Sequence, residues 1–128
     1  MSDWSILLVE DNEKNMKLFG DVLTAKGYRT VEARSGEEAV AVARTQPPDL
    51  VLMDIRLPGI DGVETLRRLR ADGRTASIPV LAVTAQAMRG DREQFLAEGF
   101  DGYLSKPVDV GELLAAVRRH CGGETDDR

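Results

Sequence analysis

The sequence is poor in several residue types that particular classes of protein require. Its 128 residues include one cysteine, Cys121, which excludes an intrachain disulfide and a cysteine-based zinc site. Aromatic residues make up only 5% of the chain, so a folded core has to be built mainly from aliphatic side chains. No apolar run is long enough to cross a bilayer, and no signal-type segment is present near residue 1. These absences lead us to expect a protein of the reducing cytoplasm.

The charged residues that are present are mostly acidic. The chain carries 17 lysines and arginines against 22 aspartates and glutamates, which gives a formal net charge of −5. This balance argues against direct binding to nucleic acid, because neutralising phosphates requires a basic surface. It also argues against attachment to an anionic membrane. With 42% hydrophobic and 30% charged residues, a chain of this length is typical of one globular domain.

Two short apolar runs end in carboxylates. Residues 50–53 lead directly into Asp54, and residues 6–9 lead into Glu10 and Asp11. A continuous apolar run of this length predicts a strand that is buried on both faces of a parallel sheet. Taken alone, Asp54 could equally begin a loop or cap the next helix, so its role depends on what the other strands bring to the same edge.

Helical patterns alternate with the strand patterns. Ser35, Asp61 and Asp109 each stand three residues before a glutamate, which is the capping-box arrangement that marks the start of a helix. Asn12 or Asp11 can cap the first helix. Five strands alternating with five helices predict an α/β fold, a parallel sheet with right-handed crossovers and helices on both faces. The predicted strands cover residues 6–9, 28–33, 50–54, 78–84 and 102–105, and the least regular helix covers about 88–98.

Side-chain patterns within two helices give more specific predictions. In the third helix Arg67, Arg68 and Arg70 are predicted to face solvent rather than to form a binding patch. In the last helix the inward-facing apolar stripe is predicted to begin at Val110 and to end at Cys121.

The polar residues at the strand ends form a chemically consistent set. All strands of a parallel sheet have their carboxyl ends at one edge, which brings together Glu10, Asp11, Asp54, Thr84 and Lys106. Two carboxylates ~4 Å apart repel by about 4 kcal/mol at an effective dielectric of about 20, so three of them call for a cation. Oxygen ligands without histidine or cysteine favour Mg²⁺. With the ammonium and the hydroxyl as further partners, the set fits a phosphoryl group, and one carboxylate stays free as nucleophile.

These residues resemble the receiver domain of two-component response regulators. The segment Val9-Glu10-Asp11-Asn12, the segment from Met53 to Pro58, Thr84 and the pair Lys106-Pro107 match that family in spacing and order. The likeness runs from about residue 6 to residue 120, and it is strongest to stand-alone receivers of the cell-cycle type and to receivers of hybrid kinases. It implies a flavodoxin-like (βα)5 sheet with strand order 2-1-3-4-5 and a cis bond before Pro107.

The resemblance implies roles for the acidic edge. Asp54 is expected to accept a phosphoryl group from the phosphohistidine of a histidine kinase or a phosphotransfer protein. Asp11 and Asp54, with Glu10 partly through water and the backbone carbonyl of Arg56, are expected to hold Mg²⁺. Lys106 is expected to pair with the phosphoryl oxygens.

The resemblance also implies a switch and a control of lifetime. Thr84 and Tyr103 match the switch pair of the family, and the small residue Ala85 leaves room for the phosphoryl group. Arg56 and Gln86 are expected to flank the approach of hydrolytic water and so to set how long the phosphoryl group survives.

The expected domain organisation is simple. We expect a receiver domain over residues 3–121 and a disordered tail over 122–128. In this family an output domain would follow Cys121, whereas this chain stops soon after it. We therefore expect a single-domain regulator that acts as a phosphorelay intermediate or as a switch that binds a protein target. Its chemistry is expected to be limited to its own phosphorylation and dephosphorylation. His120 is interpreted as a residue at a helix C-terminus rather than a phosphoryl carrier.

Three alternatives remain open at this stage. A Mg²⁺-dependent phosphohydrolase typically has a second aspartate two residues after the nucleophile, where this chain has Arg56. A flavodoxin-like cofactor binder needs backbone donors in its first loop, whereas residues 10–13 are Glu-Asp-Asn-Glu and repel phosphate. A receiver used only for docking would not need the acidic and lysine positions, which are intact.

Overall fold

The computed structural model describes residues 4–85 and 91–121, and for residues 91 and 92 it describes the backbone only. Over these ranges strands and helices alternate as the sequence predicts. The strands are β1 (Ser5–Val9), β2 (Arg29–Ala33), β3 (Leu50–Asp54), β4 (Val80–Thr84) and β5 (Gly102–Ser105). The helices are α1 (Glu13–Ala25), α2 (Gly36–Thr45), α3 (Gly62–Ala71), α4 (Asp91–Glu98) and α5 (Val110–His120). The predicted start of the fourth helix near residue 88 and the predicted tail at 122–128 lie outside the described residues.

The strands form one parallel sheet in the order β2-β1-β3-β4-β5. Val9 at the end of β1 is level with Met53, and Asp54 at the end of β3 is level with Val83. Thr84 closes β4 one residue further on. The strand order and the parallel arrangement confirm the predicted fold class, and they place the carboxyl ends of the central strands side by side.

A layer of apolar side chains covers each face of the sheet. Ile6 and Leu8 of β1 point into one layer, and Leu7 and Val9 point into the other. Every residue of β3 and β4 is buried, as expected for central strands of a doubly covered sheet. Burying one such aliphatic side chain contributes about 1.5–3 kcal/mol, so these layers fix the strand ends firmly. The helices supply Met16, Phe19, Leu23, Leu113, Ala116 and Val117 to the first layer and Ala39, Val40, Ala43, Leu66 and Leu69 to the second.

The residues predicted to cap helices do so. The side chains of Asn12, Ser35, Asp61 and Asp109 each accept a hydrogen bond from the backbone N–H three residues on. Glu64, the expected second half of the box at Asp61, pairs instead with two arginines of its own helix. The Asn12 and Asp61 caps fix where α1 and α3 start, directly after the loops that follow β1 and β3.

Two predicted details are wrong. Strand β4 starts at Val80 rather than at residue 78, because Pro79 has no N–H to donate to a neighbouring strand, although its carbonyl accepts a hydrogen bond from the Val51 N–H at 3.0 Å. Val110 is not part of the inward stripe. It is 42% exposed, since it is the first residue of α5 and lies beyond the edge of the apolar layer, which Cys121 does join.

Arg70 corrects another prediction, because it does not face solvent. Its guanidinium donates to the carbonyls of Ala76 (3.1 Å), Ile78 (2.6 Å) and Gly99 (3.1 Å), and to Asp101 Oδ2 at 3.0 Å. Its side chain is 28% exposed, whereas that of the nearby arginine at 67 is 71% exposed. Arg70 therefore links the end of α3 to the segments that precede β4 and β5.

None of the helices in the described ranges combines the length and the apolar surface needed to cross a bilayer.

Candidate functional site

Three carboxylates meet at the carboxyl edge of the sheet. Glu10 and Asp11 follow β1, and Asp54 is the last residue of β3. One carboxylate oxygen from each lies within 4.8 Å of the others. Glu10 and Asp54 are buried, at 2% and 4% exposure, while Asp11 is exposed. The three side chains that the sequence predicted to converge at this edge therefore do converge.

Lys106 reaches this cluster from the end of β5. Its Nζ lies 3.1 Å from Glu10 Oε1 and 3.2 Å from Asp54 Oδ2. The backbone N–H of Lys106 donates to the Thr84 carbonyl at 2.8 Å, and the bond to Pro107 is cis, as expected. The hydrogen bond from the Lys106 backbone to Thr84 therefore fixes the position from which the side-chain ammonium reaches the two buried carboxylates.

Backbone N–H groups orient the two buried carboxylates. Asp54 Oδ1 accepts a hydrogen bond from the Arg56 N–H at 3.1 Å, and Glu10 Oε2 accepts one from the Asn12 N–H at 3.1 Å. The sequence predicted Asn12 only as a possible helix cap and did not identify its backbone as a partner of Glu10. That second function was not detectable because it depends on the turn that the chain makes after β1.

The electrostatics reflect an excess of negative charge. Burial and the neighbouring Asp54 raise the pKa of Glu10, while Lys106 and the Asn12 N–H act in the opposite direction. Burial alone would lower the pKa of Lys106, but its ion pairs with Glu10 and Asp54 raise that pKa above its ordinary value. The lysine therefore stays charged, and one ammonium faces three carboxylates.

The donor set fits a divalent, oxygen-preferring cation. The described cluster offers carboxylate oxygens without histidine or cysteine, which is the ligand chemistry of Mg²⁺. Its three negative charges exceed the single ammonium by two, which is the charge that such an ion carries. Of these three carboxylates, that of Asp11 is the exposed one.

Thr84 and Tyr103 lie on the two strands next to the cluster. Thr84 is buried at 2% exposure and ends β4, level with Ser105 of β5. Tyr103 is half-buried, and its ring packs against Phe95 of α4 with a centroid distance of 5.8 Å. Thr84 is therefore placed at the edge with the carboxylates, whereas Tyr103 faces α4.

Two predicted residues are less constrained. Arg56 lies in the loop after β3 with its backbone against Asp54 and its side chain exposed. Ala85 is exposed directly after β4. Gln86, the second residue predicted to control phosphoryl lifetime, lies outside the described residues.

This fold and this acidic edge define a receiver domain. The family model described as response regulator receiver domain matches residues 6–118, and the chain belongs to that family. It is 47% identical over 118 residues to the polar-differentiation response regulator DivK of Brucella ovis, covering 92% of this chain and 96% of that protein.

Solved structures agree with this assignment. The receiver domain of sensor histidine kinase PA1611 from Pseudomonas aeruginosa, which has a magnesium ion coordinated in its active site cleft, is 40% identical. It superposes with a TM-score of 0.87 over 94% of this chain and 99% of that chain. The chemotaxis protein CheY4 of Vibrio cholerae is 25% identical, with a TM-score of 0.86 over 93% of this chain and 99% of that one.

Membership in the family argues against two of the three alternatives left open by the sequence. Receiver domains bind Mg²⁺ at an acidic site and take phosphoryl groups from histidine kinases or phosphotransfer proteins. They are signalling proteins and generally not enzymes, which disfavours the phosphohydrolase and the cofactor binder. The chain is thus a response regulator receiver that is similar to a stand-alone regulator.

Proposed function

We propose that this chain is a phosphorylation-dependent signalling switch in which Asp54 accepts the phosphoryl group. The observation that carries the proposal is the position of Asp54: it is buried at the end of β3 with Lys106 Nζ 3.2 Å from Oδ2 and the Arg56 N–H on Oδ1. A carboxylate held in this way is oriented for attack and has a fixed cation beside the charge it will carry.

The transfer is a nucleophilic substitution at phosphorus. A carboxylate oxygen of Asp54 attacks the phosphorus of a phosphohistidine, forming a P–O bond as the P–N bond to the imidazole breaks. The electron pair of the P–N bond stays on the imidazole nitrogen, which takes up a proton. Lys106 lies where it can contact the phosphoryl oxygens, and the Thr84 hydroxyl is a further candidate donor at the same edge.

Asp11 and Asp54, with Glu10 partly through water and the backbone carbonyl of Arg56, are the groups that would hold Mg²⁺. When bound, the ion neutralises charge on the phosphoryl oxygens. The support within this chain is the excess of carboxylates over ammonium groups described above. Lys106 and the Arg56 N–H orient the Asp54 carboxylate. The apolar layers on the two faces of the sheet limit the access of water from the interior side of the site.

The switch is assigned to Thr84 and Tyr103. Movement of the threonine hydroxyl toward a phosphoryl group on Asp54 would clear space for the tyrosine ring to move inward. The ring now packs against Phe95 of α4, so its movement would alter the surface formed by α4, β5 and α5.

The proposed partners follow from this chemistry. The donor is a histidine kinase or a histidine phosphotransfer protein, and the receiver of the signal is a downstream protein rather than nucleic acid or membrane. We place the protein in the cytoplasm, with the receiver domain over residues 3–121. It acts either as a phosphorelay intermediate or as a switch that binds its target directly.

The test is intact-mass spectrometry after incubation with acetyl phosphate and Mg²⁺. A single phosphate adduct on the wild type, absent from Asp54→Asn, is the expected result. Asp21→Asn, which changes an exposed aspartate of α1, is the matched control and should still take up phosphate. An adduct that persists in Asp54→Asn would assign the modification to another residue and overturn the proposal.

A further inference from the structure

The loop from β3 to α3, residues 55–61, packs against the first residue of α2. Gly36 is buried there, and a Cβ built on it would lie 2.6 Å from Ile60 Cγ1 and would overlap Thr65 Oγ1. Real Cβ atoms do not approach other heavy atoms so closely, so a side chain at this position forces both neighbours to move. The first residue of a helix does not itself require glycine, which leaves this packing as the reason for it.

Thr65 cannot give way freely. It is completely buried, and its hydroxyl donates to the Asp61 carbonyl at 2.7 Å. Rotating its side chain away from position 36 would break that hydrogen bond inside a closely packed interior. A side chain added at position 36 would therefore displace the first turn of α3, which Asp61 caps.

The first turn of α3 in turn contacts the backbone of Asp54. The Gly62 N–H donates to the Ile55 carbonyl at 2.9 Å, and a Cβ on Gly62 would lie 2.7 Å from the Asp54 carbonyl oxygen. The Ile55 carbonyl belongs to the same peptide unit as the Arg56 N–H, and that N–H donates a hydrogen bond to Asp54 Oδ1. A shift of this turn therefore moves the N–H group that orients the carboxylate.

We propose that Gly36 is a positioning residue for Asp54, acting through Thr65 and the first turn of α3. The proposal rests on the proposed function in so far as Asp54 is the phosphoacceptor. Because Gly36 has no side chain, the β3–α3 loop can lie close to α2 and hold the Asp54 carboxylate and the Arg56 backbone in place. Helix α2 makes no direct contribution to the acidic cluster among the described residues, so its effect is on geometry alone.

The test substitutes Gly36→Ala and compares it with Gly20→Ala. Gly20 lies in α1, and a Cβ there meets nothing within 4 Å, so it controls for the general effect of replacing a helical glycine. In the folded Gly36→Ala protein we expect Mg²⁺ affinity, and the rate of phosphorylation by acetyl phosphate at saturating Mg²⁺, to fall about tenfold or more, since small misplacements of reacting groups are costly. In Gly20→Ala both should equal the wild-type values.

A compensating change separates positioning from general damage. Removing the obstructing hydroxyl in the double variant Gly36→Ala/Thr65→Ala should restore part of the lost rate. Thr65→Val keeps glycine at 36 but puts a methyl group in place of the hydroxyl, and it should weaken Mg²⁺ binding in the same direction. If Gly36→Ala does not fold, Thr65→Val alone tests the positioning role. Wild-type Mg²⁺ affinity and rate in the folded single variants would overturn the proposal.

One readout does not depend on metal or on phosphoryl transfer. The NMR chemical shift of the Arg56 amide reports its hydrogen bond to Asp54 in metal-free protein. We expect this shift to change in Gly36→Ala and Thr65→Val and to stay constant in Gly20→Ala. If the amide shift changes although the wild type takes up no phosphate, the positioning role stands and the proposed function fails. An unchanged amide shift in both variants refutes the positioning role itself.

Discussion

Lys106 Nζ and Asp54 Oδ2 lie 3.2 Å apart, although their residues are 52 positions apart in the sequence. The lysine side chain is only 19% exposed, and the same ammonium contacts Glu10. This contact joins the end of β5 to the end of β3 across β4. It is the one fixed positive charge that the described residues bring into the acidic cluster.

Replacing Lys106 with methionine should therefore destabilise the metal-free protein. Glu10 and Asp54 would lose their shared counter-ion while remaining buried, at a cost of about 1–3 kcal/mol. Urea denaturation in the presence of a chelator measures the change in free energy of unfolding. Lys17→Met is the control, because Lys17 is 79% exposed and should cost less than about 0.5 kcal/mol. Equal stability of Lys106→Met and wild type would contradict the buried ion pair.

Mg²⁺ should stabilise the folded protein by mass action. At a concentration a hundredfold above its Kd, a ligand that binds only the native state adds about 2.7 kcal/mol. We expect the melting temperature to rise steadily with millimolar Mg²⁺ in the wild type and to respond much less in Asp11→Asn. Asp21→Asn, which removes an exposed carboxylate of α1, should respond like the wild type. A Mg²⁺ response that is undiminished in Asp11→Asn would remove Asp11 from the ligand set.

The exposed side chain of Arg56 should lengthen the life of the phosphorylated state. A guanidinium can donate two hydrogen bonds to phosphoryl oxygens and can crowd the water that attacks in line. Arg56→Ala is therefore expected to shorten the phosphoryl lifetime, and Gln86→Ala is expected to have the smaller effect. Decay of the intact mass in excess Mg²⁺ measures both. A longer lifetime in Arg56→Ala would mean that the arginine assists hydrolysis.

Arg70 should matter for stability far more than its neighbour. Arg70→Met removes four hydrogen bonds to three carbonyls and Asp101, and we expect a loss of about 2–3 kcal/mol in the free energy of unfolding. Arg67→Met, on the same helix and 71% exposed, should change stability by less than about 0.5 kcal/mol. Urea denaturation of the two variants side by side makes the comparison. Equal, small effects would mean that the Arg70 contacts do not persist in solution.

The acidic edge is predicted well because it depends on strand direction and strand order. Once the apolar runs at 6–9 and 50–53 are identified as parallel strands, the residues that follow them share one edge of the sheet, and the strand order implied by the family resemblance makes them neighbours. The predictions for Arg70 and Val110 are wrong because helical spacing gives the face of a residue but shows neither the loops that lie opposite Arg70 nor the edge of the apolar layer next to Val110. The sequence likewise carries no signal at Gly36, because its significance lies in how near α3 comes to α2.

The contacts of Asp101 give β5 two unlike ends. At its start, Asp101 Oδ2 accepts hydrogen bonds from the Val80 N–H and from Arg70, and the Asp101 N–H donates to the Val80 carbonyl. At its finish, Lys106 and Thr84 border the acidic cluster. Strand β5 is thus tied at its start to β4 and α3 by hydrogen bonds that are separate from the acidic cluster. We expect a displacement that begins at the phosphoryl site to be larger between Tyr103 and Lys106 than at Asp101.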